Sequence, residues 1–136
     1  MPVDLIRSND LTDAAPYAYA SVVTAGALVF TAGACPLDAD GVIGPPGDVA
    51  GQAARVMDNL VTALAAAGAA LTDVAKTTVY VATSDRADLT VAWSVVSAVF
   101  GDHDVPSTLL AVPVLGWPGQ LVEVEAIAAL ASPPVS

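Results

Sequence analysis

Apolar residues recur at two spacings along the chain, and the switches between those spacings outline the elements. In "SVVTAGALVFTAGACPL", residues 21–37, β-branched residues are mixed with Gly and Ala. This predicts two short strands, Val22–Val23 and Leu28–Thr31, turned at Ala25-Gly26. The Gly, Pro and Asp of "DADGVIGPPGD" make the next stretch a surface loop. Asp48 then reads as an N-cap. Ala53, Val56, Met57, Leu60 and Leu64 follow at helical spacing, with Arg55, Asp58 and Asn59 on the other side, so a helix is expected over residues 49–67 with Gly68 ending it.

The period returns to two in "LTDVAKTTVYVATSD", where Val79 and Val81 alternate with Thr78 and Tyr80 and predict a strand over Ala75–Ala82. Asp85 or Asp88 can cap a second helix that runs through Leu89, Trp93 and Val96 to Phe100. "TLLAVPV" is a further strand, with Pro113 removing a ladder donor near its end. "LGWPGQ" is a turn, and "LVEVEAIAAL" closes the sheet. The order of strand, strand, helix, strand, helix, strand, strand favours an α+β sandwich in one domain, its sheet covered on one face by two helices. The tail over residues 131–136 is expected to be disordered. No phosphate-cradling glycine motif is present.

The closing strand concentrates the chemistry. Its Glu123 and Glu125 are the chain's two glutamates; the other twelve acidic residues are aspartates. Strand alternation puts Leu121, Glu123, Glu125, Ile127 and Ala129 on one face and Val122, Val124, Ala126 and Ala128 on the other. The second face is purely apolar and should meet the helices. The first is half apolar, which suits a subunit interface. A carboxylate there needs a hydrogen bond or an ionic partner. Each glutamate is thus either a satisfied interface residue or an acid/base group.

Composition narrows the functional classes. The 136 residues are 55% hydrophobic but carry only seven aromatics, so the core is built from Ala, Val and Leu. A chain of this length buries a limited share of its surface alone, and the apolar excess points to association. The net charge is −10, with Arg7, Arg55, Arg86 and Lys76 as the strong cations. No basic stripe for nucleic acid can be assembled from these, and anionic membranes are disfavoured. The start has no charged-then-apolar signal and no segment suits a membrane span, so the chain reads as cytoplasmic. Cys35 is alone and His103 is the one histidine, which leaves no recognised metal-ligand spacing. Cys35 is expected to be an inert buried thiol, His103 a loop residue bonded locally, Trp93 a core residue and Trp117 a turn or interface residue.

Together "APYAYA", "VFTAGACPLD", "DVAGQAARVMDNLVTALAAAGAALTDVAKTTVYVAT", "VFGDHDVPST" and "PGQLVEVEAIAAL" resemble the Rid family, or YjgF-like proteins (reactive intermediate deaminases), over residues 13–130. The resemblance implies a chorismate-mutase-like α+β fold and a homotrimer with pockets in the inter-subunit clefts. It also implies hydrolysis of reactive enamines and imines such as 2-aminoacrylate, without metal or organic cofactor. By the same resemblance Glu123 is the catalytic pocket glutamate, Glu125 the second glutamate of its motif, and Tyr17, Thr31, Ala32, Gly33, Thr108 and Leu110 line the substrate site.

Several pocket positions depart from the family pattern. Ala32 replaces a serine, Thr108 the hallmark arginine, Leu110 a Cys or Thr, and Ala92 an asparagine. An arginine grips a substrate carboxylate with two hydrogen bonds, which threonine does not imitate. Its loss costs roughly 2–5 kcal/mol. The expected function is therefore divergent: enamine or imine hydrolysis, or related lyase or tautomerase chemistry, on a small molecule lacking a carboxylate. The alternative is a non-catalytic trimer that binds a metabolite or a protein in the same cleft.

Overall fold

In the structure, a computed structural model describing residues 2–131, the periodic segments pair and pack as their spacing demands, with one strand added at the start. The strands are β1 (Val3–Ile6), β2 (Ala20–Val23), β3 (Ala27–Phe30), β4 (Val74–Ala82), β5 (Ser107–Val112) and β6 (Val122–Leu130); the helices are α1 (Val49–Ala66) and α2 (Arg86–Phe100). The expectation of a disordered tail falls on residues 132–136, which lie outside the described residues. No helix among the described residues is long and apolar enough to cross a membrane.

The main sheet is mixed, in the order β3-β6-β4-β5. β6 runs antiparallel to both neighbours, while β4 and β5 are parallel and joined by α2 as the crossover. The apolar face of β6 meets the helices as expected: Val122, Val124, Ala126 and Ala128 are buried against α1 and α2 through Val56, Met57, Leu60, Leu64 and Val96. Each valine, leucine and methionine among them contributes about 1.5–3 kcal/mol by leaving water, and each alanine less. Asp48 caps α1 by accepting a hydrogen bond from Gly51 N at 2.9 Å, and Gly68 ends it with φ +84°. Asp85, rather than Asp88, caps α2.

Two expectations are corrected. β1 was not foreseen: its four residues "VDLI" lie between a terminus and the charged and polar stretch that starts at Arg7, so they carry little pattern. β2 and β3 do not form a hairpin. β2 pairs with β1, Val3 opposite Val23, while β3 joins the main sheet beside β6. Gly26 makes the transfer between sheets, because a Cβ there would lie 1.4 Å from the Leu130 carbonyl oxygen. The β1–β2 ribbon packs on the sheet face away from the helices, with Val3 and Leu5 against Ala75 and Ala129. Ala75 sits where the β4–β6 register shifts by one residue, and Ser21 Oγ donates to its carbonyl at 2.6 Å.

The rest of that face carries Leu28 and Phe30, respectively 50% and 69% exposed, beside Ile127 and the polar side chains of β4 and β6. Fully buried Gln52 anchors the entry to β6: Nε2 donates to the carbonyls of Pro45 and Gly119, both at 3.0 Å, and Oε1 accepts from Leu121 N at 2.8 Å. Gln52→Met keeps the volume but leaves these backbone groups unsatisfied. We expect the free energy of unfolding in urea to fall by roughly 2–5 kcal/mol, since each orphaned buried polar group costs about 1–3 kcal/mol.

Candidate functional site

Glu123 and Glu125 lie on the same face of β6, roughly 7 Å apart along the strand. In the antiparallel ladder Tyr80 stands opposite Glu123 and Thr78 opposite Glu125. The Tyr80 hydroxyl reaches diagonally and donates to Glu125 Oε1 at 2.7 Å. That hydrogen bond, followed by burial, raises the Tyr80 phenol above its ordinary range. Glu125 is thereby engaged in the ladder.

Glu123 has a different environment. Beyond β3 the chain runs beside β6 again, through paired hydrogen bonds between Ala34 and Val124. This brings Gly33 against the carboxylate: a Cβ on Gly33 would stand 2.5 Å from Glu123 Oε2. Cys35 follows, its sulfur 3.2 Å from Glu123 Oε1 and 3.5 Å from the Gly33 carbonyl. Asn59, on the polar flank of α1, fixes this segment by donating to the carbonyls of Cys35 and Leu37 at 2.8 and 3.0 Å. From the turn before β6, Gln120 Nε2 donates to Glu123 Oε1 at 3.2 Å and to the Val122 carbonyl at 3.1 Å. Gln120 Oε1 accepts from Trp117 N at 3.2 Å. Among the described residues no donor reaches Oε2.

Cys35 therefore has a carboxylate neighbour that the sequence did not reveal, and it is only part-buried. Burial first, and then the hydrogen bond and negative charge of Glu123, push its thiol up to about 11; contacts with Gln120 and Trp117 oppose that shift. The thiol is protonated and weakly nucleophilic at neutral pH, in line with the expected inertness.

The remaining expected site residues divide into two groups. Thr31 Oγ1 accepts from Ala126 N at 3.0 Å, which ties its hydroxyl to β6. Ala32 is exposed next to Gly33, so Thr31, Ala32, Gly33 and Glu123 lie together. Tyr17 and Thr108 lie elsewhere, beside the β5 edge of the sheet. With Pro16, Trp93, Ser107 and Leu109 they line an open hollow of about 510 Å³. Trp93 meets Tyr17 edge-on, with ring centroids 6.1 Å apart, and is a wall residue as much as a core one. Arg7 secures the Tyr17 loop by donating to the Tyr17 carbonyl at 3.2 Å and pairing with Asp104. Leu110 stands opposite Tyr80, between the two groups.

Thr108 does not reach Glu123 within one chain; its hydroxyl accepts from Lys76 Nζ at 2.8 Å. Lys76 also lines a hollow of about 170 Å³ on the open sheet face with Phe30, Thr31, Thr78 and Glu125. Sequence reasoning counted Lys76 only as a charge, and it read Gln120 as part of a turn. Strand parity could have placed Lys76 on the glutamate face; the burial of Gln120 had no signal in the sequence. His103 does not bond locally as expected: its Nε2 lies 2.7 Å from the carbonyl of Val74, at the start of β4. Among the described residues, no three His, Cys, Asp or Glu side chains converge as metal ligands.

This arrangement makes Cys35 a reporter of Glu123. Glu123→Gln removes the negative charge and weakens the hydrogen-bond acceptor but leaves the burial. Below pH 9 the rate of Cys35 alkylation by iodoacetamide should rise roughly three- to tenfold for each unit the thiol pKa falls, because the gain in thiolate outweighs its lower nucleophilicity. An unchanged rate would place the carboxylate away from the thiol.

Comparison with known proteins agrees with this architecture. The family model described as Endoribonuclease L-PSP matches residues 9–130. Protein DfrA of Myxococcus xanthus is 36% identical over 116 residues, covering 83% of this chain and 84% of DfrA. A RutC family protein of Pyrococcus abyssi is 36% identical over 111 residues, covering 81% of this chain and 84% of that protein. The crystal structure of YyfB from Yersinia pestis, a protein of unknown function of the conserved Rid family, aligns with a TM-score of 0.89 and 26% identity. That alignment covers 96% of this chain and 100% of YyfB. The chain belongs to the endoribonuclease L-PSP family and is a Rid/YjgF-like protein.

Proposed function

We propose that the chain is a homotrimeric small-molecule enzyme that hydrolyses an imine or enamine lacking a carboxylate, or shifts a proton on one, with Glu123 as acid/base. The observation that carries this reading is the contrast between the two glutamates. Glu125 is bonded to Tyr80, whereas among the described residues no donor meets Glu123 Oε2, which stands beside a residue without a side chain. The trimer is supported by the open sheet face, with its exposed Phe30 and Leu28. It is supported as well by the separation of the site residues. In a cyclic trimer the Tyr17, Trp93 and Thr108 wall of one copy would face Glu123, Ala32 and Gly33 of the next.

In such a cleft, water adds to the imine carbon as Glu123 takes its proton. With the imine protonated, Glu123 returns that proton to nitrogen and then takes the proton of the new hydroxyl as the C–N bond breaks; a carbonyl product forms, and the last proton leaves with ammonia as ammonium. A carboxylate among aromatic and apolar walls favours a neutral or cationic nitrogen compound. RNA is disfavoured as a substrate, because fourteen acidic residues against four strong cations leave no basic track for a phosphate backbone.

One observation favours a second reading. Lys76 bonds Thr108, so a cation stands beside the position of the missing arginine. A lysine is a point charge without the two-pronged grip, yet it could anchor a carboxylated substrate.

The test supplies two imines. One is made by an amine oxidase from benzylamine and has no carboxylate; the other is 2-aminoacrylate made by serine dehydratase. Release of benzaldehyde should be accelerated clearly and release of pyruvate little. Glu123→Gln should cost roughly 10²–10⁴-fold and Glu125→Gln much less. Strong pyruvate release that disappears in Lys76→Met would establish the second reading. No acceleration with either imine would leave the chain as a binding module. Native mass spectrometry should find a trimer, and a stable monomer would remove the cleft. Single-stranded RNA should remain intact in the same samples.

A further inference from the structure

We infer that Gln120 and Cys35 are positioning residues that hold Glu123 by its Oε1 oxygen, leaving Oε2 as the oxygen that exchanges the proton with substrate. The inference rests on the reading of Glu123 as the proton-transfer group. Three observations support it. Gln120 is a polar side chain only 3% exposed, and its hydrogen bonds go to Trp117 N in the turn, to the Val122 carbonyl at the start of β6 and to the carboxylate. Its amide and the Cys35 thiol both meet Oε1, each at 3.2 Å, from opposite segments of the chain. Oε2 has no such partner and faces Gly33, where a side chain would occupy its space.

A carboxylate held at one oxygen by two donors cannot rotate freely about its last torsion. Its two oxygens become inequivalent, and the reactive one is presented in a fixed direction. Holding a reacting group in place is worth large factors in rate, and a displacement of about 1 Å can cost on the order of 10²-fold. Burial of Gln120 keeps water from competing for its amide. The raised thiol pKa keeps Cys35 protonated, so it remains a donor at neutral pH. Gln52 completes the support by fixing Gly119 and Leu121 on either side of Gln120.

The composition of the chain makes this directly measurable. With one cysteine and two glutamates, infrared spectroscopy sees a single S–H stretch, and 13C-labelled glutamate adds only two side-chain carboxylate signals. The S–H band should move to higher frequency in Glu123→Gln, where the acceptor is weaker. The Glu123 carboxylate band should shift in Gln120→Leu and in Cys35→Val, while the Glu125 band stays in place. In turnover of the benzylamine-derived imine, Gln120→Leu should lower kcat by roughly 10–10²-fold with little change in KM. Cys35→Ser, which keeps a donor, should recover most of what Cys35→Val loses.

Unmoved bands would overturn the clamp. So would variants that melt earlier but match the wild type in kcat per intact trimer. If the wild type turns over and only Glu123→Gln fails, the clamp alone falls. If the wild type processes no imine, the reading of Glu123 falls and this inference with it.

Discussion

Pairing of β6 along both edges is the constraint from which the rest follows. A strand held between β3 and β4 cannot rotate about its axis, so its alternation becomes a partition of the molecule. Val122, Val124, Ala126 and Ala128 are committed to the helices, and Glu123 and Glu125 to the other face. Neither glutamate can escape to bulk solvent by a twist of the backbone. Each must find its partners among the side chains that β4, the segment after β3 and the turn before β6 present to it. Tyr80 serves one glutamate; Cys35 and Gln120 serve the other.

This partition was legible in the sequence because it depends only on period two. The same holds for α1, whose apolar stripe and capping Asp48 stand in plain order, and for the likeness that placed the chain in its family. What escaped depends on distant segments meeting. β1 is too short to carry a pattern, and nothing local says that β2 prefers it to β3. Cys35 and Glu123 are 88 positions apart, and Gln120 resembles any polar turn residue until Gln52 and Trp117 hold its neighbourhood in place. Thr108 was seen as the loss of a charge. That Lys76 lies against it follows from the parallel pairing of β4 with β5, which no single-strand pattern encodes.

Small side chains give this molecule both its close backbone approaches and its thinly covered sheet face. Ala and Gly allow close backbone approach, at Gly26 against Leu130 and at Gly33 against Glu123. They also leave the sheet face away from the helices thinly covered, with a short ribbon over one end and bare Phe30 and Leu28 over much of the rest. A carboxylate on a half-covered face has two routes to a dry environment: more chain, or another copy.

The extra residue at Ala75 connects these themes in a further way. Removing it would restore a regular alternation from Val74 through Tyr80, so the sheet and its two faces would survive. The docking point for the ribbon would not: Ala75 supplies the contact for Val3 and the carbonyl for Ser21. The segment between β1 and β2 carries Tyr17, so one wall of the hollow beside Trp93 is anchored at that irregularity as well as at Asp104, which pairs with Arg7 and accepts from Ala18 N. A length change in β4 would thus act as one of two hinge pins withdrawn from a door: the frame stands, and the leaf that carries Tyr17 hangs from Asp104 alone.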